Sequence, residues 1–127
     1  MDKPLIVVNF KTYETAMGDS ALTLAKAMDN FTDRDFRMIA VVSAFDLSTI
    51  SNSVSSVEVW SQHLDPVGKG SHTGWLEPDL ALHHGAVGTI INHAEHKVTI
   101  EHVEKLMAIL PSDCLLYTSP SPRDLVI

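Results

Sequence analysis

Four short runs of apolar and β-branched residues recur along the chain, separated by stretches with helical spacing, and this alternation limits the folds open to it. Residues 5–10 (LIVVNF), 38–42 (MIAVV), 57–62 (VEVWSQ) and 87–91 (VGTII) read as buried strands. Between the first two, residues 18–30 place Ala21, Leu22, Ala25 and Met28 on one helical face. Residues 45–54 read as a short helix rich in Ser and Asn, and 64–74 as a polar, Gly-containing loop. A helix is expected over 77–85, stopped by Gly85, and an amphipathic helix over 99–110, with Thr99 as N-cap and Pro111 as the stop. The order β-α-β-α-β-α-β-α implies a parallel sheet with crossover helices. Two α/β architectures satisfy it: a small doubly wound sheet, or part of a (β/α) barrel.

Composition narrows the class. The 127 residues are 45% hydrophobic and 20% charged, an ordinary globular balance. The net charge of -7 leaves no cluster of Lys and Arg to neutralise phosphates, so neither a nucleic acid nor a membrane surface is an expected partner. No apolar run approaches the roughly 20 residues of a membrane span. A single cysteine, Cys114, excludes an intrachain disulfide and points to a reducing, cytoplasmic compartment.

The last fourteen residues, 114–127, read differently from the rest. They have neither helical nor strand period, and CLLYTSPSPRD corresponds over eleven consecutive residues to a translated transposase sequencing adapter. The expected division is therefore 1–113 as native sequence and 114–127 as an adapter-derived tail. On that reading the cysteine is not native either.

Polar groups gather at the carboxyl ends of the predicted strands, where α/β folds keep their ligands. Residues i and i+2 of a strand share a face, so Asn9 and Lys11 are expected to project together. A lysine there suits an anionic group such as phosphate, although a lysine snorkelling from a strand end reads equally well. The third strand ends in Gln62-His63 and the fourth in Asn92-His93-Ala94-Glu95. A turn after His93 is expected to open a short helix, whose positive end favours a neutral imidazole able to polarise a carbonyl. Gly68, Gly70 and Gly74 fit neither the dinucleotide fingerprint nor the P-loop, so they read as a flexible connection. Seven histidines raise the question of a metal, but no neighbouring cysteine or convergent carboxylate supports one. His83, His84, His96 and His102 accordingly read as solvated residues.

Three segments, VVNFKTYETAMG, WSQHLDPVGKGSHTG and GAVGTIINHAEHK, resemble in order and spacing the triosephosphate isomerase family in its archaeal form. The resemblance implies the first four βα units of a TIM (β/α)8 barrel, a half barrel of a fold that needs about 250 residues. It implies that Asn9 and Lys11 bind a small phosphorylated triose, with Lys11 holding the phosphate and stabilising an enediolate. His93 matches the family's catalytic electrophile, and Glu95 the acidic residue that orders Lys11. Thr73 and Gly74 match the tip of a loop that reaches into a neighbouring subunit of a homo-oligomer, dimer or tetramer. No cofactor and no metal is implied. The pairing of a neutral histidine with a glutamate base is this family's known chemistry rather than a reading of these residues.

Departures from the family pattern accompany the match. Ala94 replaces a serine whose hydroxyl is expected to fix the local turn, and His96 replaces a basic residue. The glutamate base, the lid and the Gly-rich phosphate loop belong to the family's second half and have no counterpart here. The chain is therefore expected to be inactive by itself, with open edges at the first and fourth strands and an exposed interior face. Two rival readings are a non-catalytic, self-associating half barrel and a different phosphate-handling barrel with a shared front half.

Overall fold

The computed structural model describes residues 4–31 and 35–118. Its elements run β1 (Leu5–Asn9), α1 (Asp19–Asp29), β2 (Arg37–Val42), α2 (Leu47–Ser51), β3 (Glu58–Ser61), α3 (Pro78–His83), β4 (Thr89–Ile91), α4 (Ile100–Ile109) and β5 (Leu115–Tyr117). Short 3-10 turns at Glu14–Ala16 and Ser112–Cys114 complete the path. The four strands and four helices read from periodicity are each present within a few residues of their predicted limits. Thr99 caps α4 by accepting from the His102 N–H at 3.1 Å, and α3 gives way to Gly85 at φ +98°.

The strands pair in chain order, β1-β2-β3-β4-β5, and every pairing is parallel. That order decides between the two architectures. A doubly wound sheet reverses its strand order at a switch point, whereas a barrel adds each strand beside the last. The chain forms an α/β half barrel. No described helix is long and apolar enough to cross a membrane.

One expectation is corrected here. The segment after Asp113 has no evident period, yet Leu115, Leu116 and Tyr117 pair with Thr89, Ile90 and Ile91 as a fifth strand. The edge of β4 presents free backbone groups that an adjoining extended apolar segment can pair with, and three residues are too few to show a periodicity. The open edges are therefore β1 and β5. Residues 119–127 of the tail lie outside the described residues.

Two apolar layers explain why the strands are hydrophobic on both faces. Ala40, Val42, Val59 and Ile91 face the helices and pack with Ala21, Ala25, Ile50, Val103 and Leu106. Ile39, Val41, Trp60 and Ile90 point the other way and form a second cluster, flanked by Val7 and Leu116. The expected exposure of this inner face is corrected at its centre, where these four residues are 0–3% exposed. A twisted sheet that curls brings the inward side chains of neighbouring strands onto one another, and the indole of Trp60 spans the space between them. Exposure persists at the β1 edge, at Leu5 and Ile6.

Two contacts set the level of β3 and β4 and so of the groups at their ends. Gly88 leads into β4 against Trp60, and its carbonyl accepts from Ser61 N–H at 2.9 Å. A β-carbon on Gly88 would lie 2.5 Å from Trp60 Cε2 and 2.8 Å from the Cys114 carbonyl oxygen. At the entry to β3, the Asp29 carboxylate accepts backbone N–H bonds from Ser55, Ser56 and Val57 at 3.1, 2.7 and 2.8 Å. Burial raises the Asp29 pKa, but the three N–H donors outweigh it and hold the carboxyl below the usual carboxylate value.

Gly88→Ala is expected to lower stability by about 1–3 kcal/mol through overpacking against Trp60, read as a lower urea midpoint. An unchanged midpoint would mean the indole moves aside freely. For Asp29 the folded chain takes up the proton less readily than the unfolded one. Its contribution is therefore full above the unfolded pKa of about 3.9 and is lost as pH falls through the lower folded value. Asp29→Ala is expected to be less stable than the parent at neutral pH, with the gap closing below about pH 4. A gap of the same size in strong acid would contradict this origin.

Candidate active site

The carboxyl ends of β1, β3 and β4 open into one cleft of about 570 Å³, whose lining includes Asn9, Lys11, Gln62, His93 and Glu95. Lys11 lies two residues beyond β1 in the left-handed region, at φ +54°. A non-glycine residue held there costs of order 1–3 kcal/mol and persists only where its surroundings compensate. Here Asn9 Oδ1 accepts from the Lys11 N–H at 2.9 Å, and Gln62 Nε2 donates to the Lys11 carbonyl at 2.8 Å. Asn9 and Lys11 do meet, but not by strand alternation as expected. The strand ends at Asn9, and the Asn9 side chain folds onto the next turn and holds it.

The Lys11 ammonium donates to Glu95 Oε2 at 3.0 Å, which ties the ends of β1 and β4 together. That hydrogen bond and the charge of Glu95 raise the Lys11 pKa, with Tyr13 adding a smaller contribution. The lysine is therefore a full cation at neutral pH. Its Nζ also stands 5.6 Å from the centre of the Tyr13 ring.

His93 follows β4 after Asn92, itself left-handed at φ +60°. The Asn92 Oδ1 accepts from Val98 N–H at 2.9 Å and closes the loop behind the histidine. The helix expected after His93 is absent. Residues 93–96 form a turn closed by His96 N–H donating to the His93 carbonyl at 2.8 Å, and α4 begins only at Ile100. With Ala94 inside it, this turn closes without a side-chain hydroxyl. No helix dipole acts on His93. A single backbone donor does: Glu95 N–H points at His93 Nδ1 at 3.0 Å. An acceptor nitrogen carries no proton, so the proton of the neutral ring resides on Nε2.

Thr73 and Gly74 do not line this cleft. They occupy the two central positions of a turn closed by Trp75 N–H to the His72 carbonyl at 3.0 Å. Gly74 has φ +85°, the conformation a type II turn demands at its third residue. His83 and His84 are exposed, as expected. His96 and His102 are not simply solvated. The His96 ring stacks on His63 with centroids 4.1 Å apart, and the His102 side chain is 15% exposed beside Asp65. His63 Nε2 donates to Asp65 Oδ1 at 2.8 Å. Burial lowers the His63 pKa, with Asp65 opposing it. Asp65 was not singled out in the sequence, where His63-x-Asp65 alone carries no recognisable signal and His102 is far away along the chain.

A half barrel with a lysine, a histidine and a carboxylate converging at the strand ends belongs to the class of (β/α) barrel enzymes. Comparison with known proteins narrows the class. The family model described as triosephosphate isomerase matches residues 4–112. A triosephosphate isomerase from Archaeoglobus fulgidus is 38% identical over 101 residues, covering 79% of this chain and 45% of the relative. Another from Methanothermus fervidus is 33% identical over 117 residues, covering 91% of this chain and 52% of the relative. The chain belongs to the triosephosphate isomerase family, an isomerase family, in its archaeal form. It spans about half the length of the curated relatives it matches.

Imidazole ¹⁵N shifts should report the His93 neutral ring as the Nε2-protonated tautomer. A ring protonated on Nδ1 would contradict the Glu95 N–H bond.

Proposed function

We propose that the chain carries the electrophilic half of a triosephosphate isomerase site, which in a complete barrel interconverts dihydroxyacetone phosphate and D-glyceraldehyde 3-phosphate. The convergence of the Lys11 ammonium and the His93 Nε2–H on one cleft carries this reading. Removing a proton from the carbon beside a carbonyl leaves an enediolate whose negative charge resides on oxygen. Lys11 supplies a full positive charge for that oxygen and for the substrate phosphate. His93 Nε2–H donates to the same oxygens and relays a proton between them. Asn9, Gln62 and Glu95 act by holding Lys11 in place.

The described lining of the cleft offers no unpaired carboxylate to accept that proton. Among the described residues lining the cleft the one carboxylate is Glu95, already paired with Lys11. The base, the lid and the phosphate loop come, on this reading, from a second half of the barrel. The Thr73-Gly74 turn reaches a neighbouring subunit of a homo-oligomer, and the enzyme works in the cytoplasm without a cofactor. The family model's match stops at 112, although the Methanothermus fervidus alignment, which covers 91% of the chain, runs past Asp113; the reading of 114–127 as foreign sequence is carried by its adapter-like residues. Resequencing the source DNA across the Asp113 and Cys114 codons tests that point. A coding frame continuing past Asp113 supports it, and an unchanged tail opposes it.

The exposed Leu5 and Ile6 on the β1 edge favour a second reading, in which the half barrel pairs with another copy and has no catalytic role. The two readings separate in one experiment. The chain alone is expected to show no turnover above a Lys11→Ala control. Mixed with the remaining half of the Archaeoglobus fulgidus relative, it is expected to gain isomerase activity that Lys11→Ala reduces by roughly 10²–10³-fold. A stable dimer by light scattering, with no activity on complementation, would favour the self-associating reading.

A further inference from the structure

Three side chains that the isomerase reading leaves unused converge at the edge of the cleft, which His63 itself helps to line. His63 follows β3, Asp65 comes two residues later, and His102 projects from the first turn of α4. His63 Nε2 stands 2.8 Å from Asp65 Oδ1, and His102 Nε2 stands 3.8 Å from the same oxygen. One ligand atom from each of the three lies within 4.8 Å of the others. The three side chains are only 10%, 14% and 15% exposed. We propose that His63, Asp65 and His102 bind one divalent cation of the zinc type, clamping the base of the β3–α3 loop to α4.

The geometry is close to what such an ion needs. Ligand atoms about 2.0–2.1 Å from a tetrahedral cation stand about 3.3 Å from one another. The two observed separations, 2.8 and 3.8 Å, bracket that value, so each pair adjusts by about half an ångström. Two imidazoles and a carboxylate are a donor set that suits Zn²⁺ and is too nitrogen-rich for Mg²⁺ or Ca²⁺. The carboxylate is already oriented. Asp65 Oδ2 accepts from Leu76 N–H at 2.8 Å, and Asp65 N–H donates to the Leu76 carbonyl at 2.8 Å, which leaves Oδ1 facing the imidazoles. His96 stacks on the open face of His63 and shields it from water.

Protons balance without net release. His63 Nε2 donates to a carboxylate and His102 Nε2 to the Leu64 carbonyl at 3.1 Å, so in the cation-free chain both Nε2 atoms carry hydrogen. The cation takes those two positions, and each ring keeps its one proton on Nδ1. The Leu64 carbonyl or a water completes the coordination. The proposal does not rest on the isomerase reading: His63 lines the same cleft, but its side-chain partners are Asp65, His96 and His102, not Lys11 or His93.

The test is titration of the 127-residue chain with Zn²⁺ against a chromophoric chelator, together with Co²⁺ absorption spectra. One equivalent is expected to bind, with the intense visible bands of a tetrahedral nitrogen and oxygen site. His102→Gln and Asp65→Asn are each expected to weaken binding at least tenfold. The exposed pair His83→Ala/His84→Ala is expected to leave it unchanged. No stoichiometric binding, or binding lost only in the His83/His84 variant, would overturn the proposal. Should a variant fail to fold, imidazole ¹⁵N shifts in the unsubstituted chain decide the same point. Zn²⁺ should move His63 and His102 and leave His83 and His84 in place, and the reverse pattern would overturn it.

Discussion

Parallel pairing in chain order is the constraint on which the rest of this molecule depends. Because each strand is laid beside the previous one in the same direction, all the strands end on one rim. The register then sets the heights. Asn9 lies level with Val41, and Val42 with Ser61, so the residues just past each strand meet across the rim rather than at staggered depths. The chemistry follows from that alignment. Groups 51 and 84 residues from Lys11 along the chain reach it directly, Gln62 at its carbonyl and Glu95 at its ammonium.

Stability and site are coupled through the same few contacts. The left-handed turn at Lys11 is unfavourable alone and is held by Asn9 and Gln62, so the placement of the lysine depends on both β1 and β3. The Glu95 carboxylate is shared in the same way. Its backbone N–H fixes the His93 ring, while its side chain holds Lys11, and one residue of β4's loop therefore sets the proton on one group and the charge on the other. Close packing behind the rim supports this arrangement. Trp60 fills the inner face so tightly that the chain opposite it must be glycine at 88. The half barrel thus has a packed inner core at its centre while its two outermost strands lie open.

Much of this was legible along the chain. Residues 5–10, 38–42, 57–62 and 87–91 announced strands because burial on both faces demands continuous apolar runs. Thr99 and Gly85 marked helix limits because a capping hydroxyl and a positive φ open to glycine both act locally. Three motifs carried the family. Other features were not legible, for identifiable reasons. The strand Leu115–Tyr117 is created by the free edge of β4 and not by its own pattern. The turn at 93–96 closes by a backbone bond, and backbone bonds leave no trace in residue identity. The cluster of His63, Asp65 and His102 joins a strand end to a helix 39 residues from His63, a distance that spacing rules do not span.

The sequence by itself determined the alternation of elements, the polar groups at each strand end and membership of the triosephosphate isomerase family. Those properties depend on local periodicity and on residue type. Tertiary structure alone decided that the strands add in order rather than reverse about a switch point. It also decided that Lys11 takes a left-handed turn under Asn9 and Gln62, and that a backbone N–H rather than a helix end sets the proton of His93. These depend on hydrogen bonds and packing between segments far apart in the chain, which exist only once the sheet has brought its ends to a common rim.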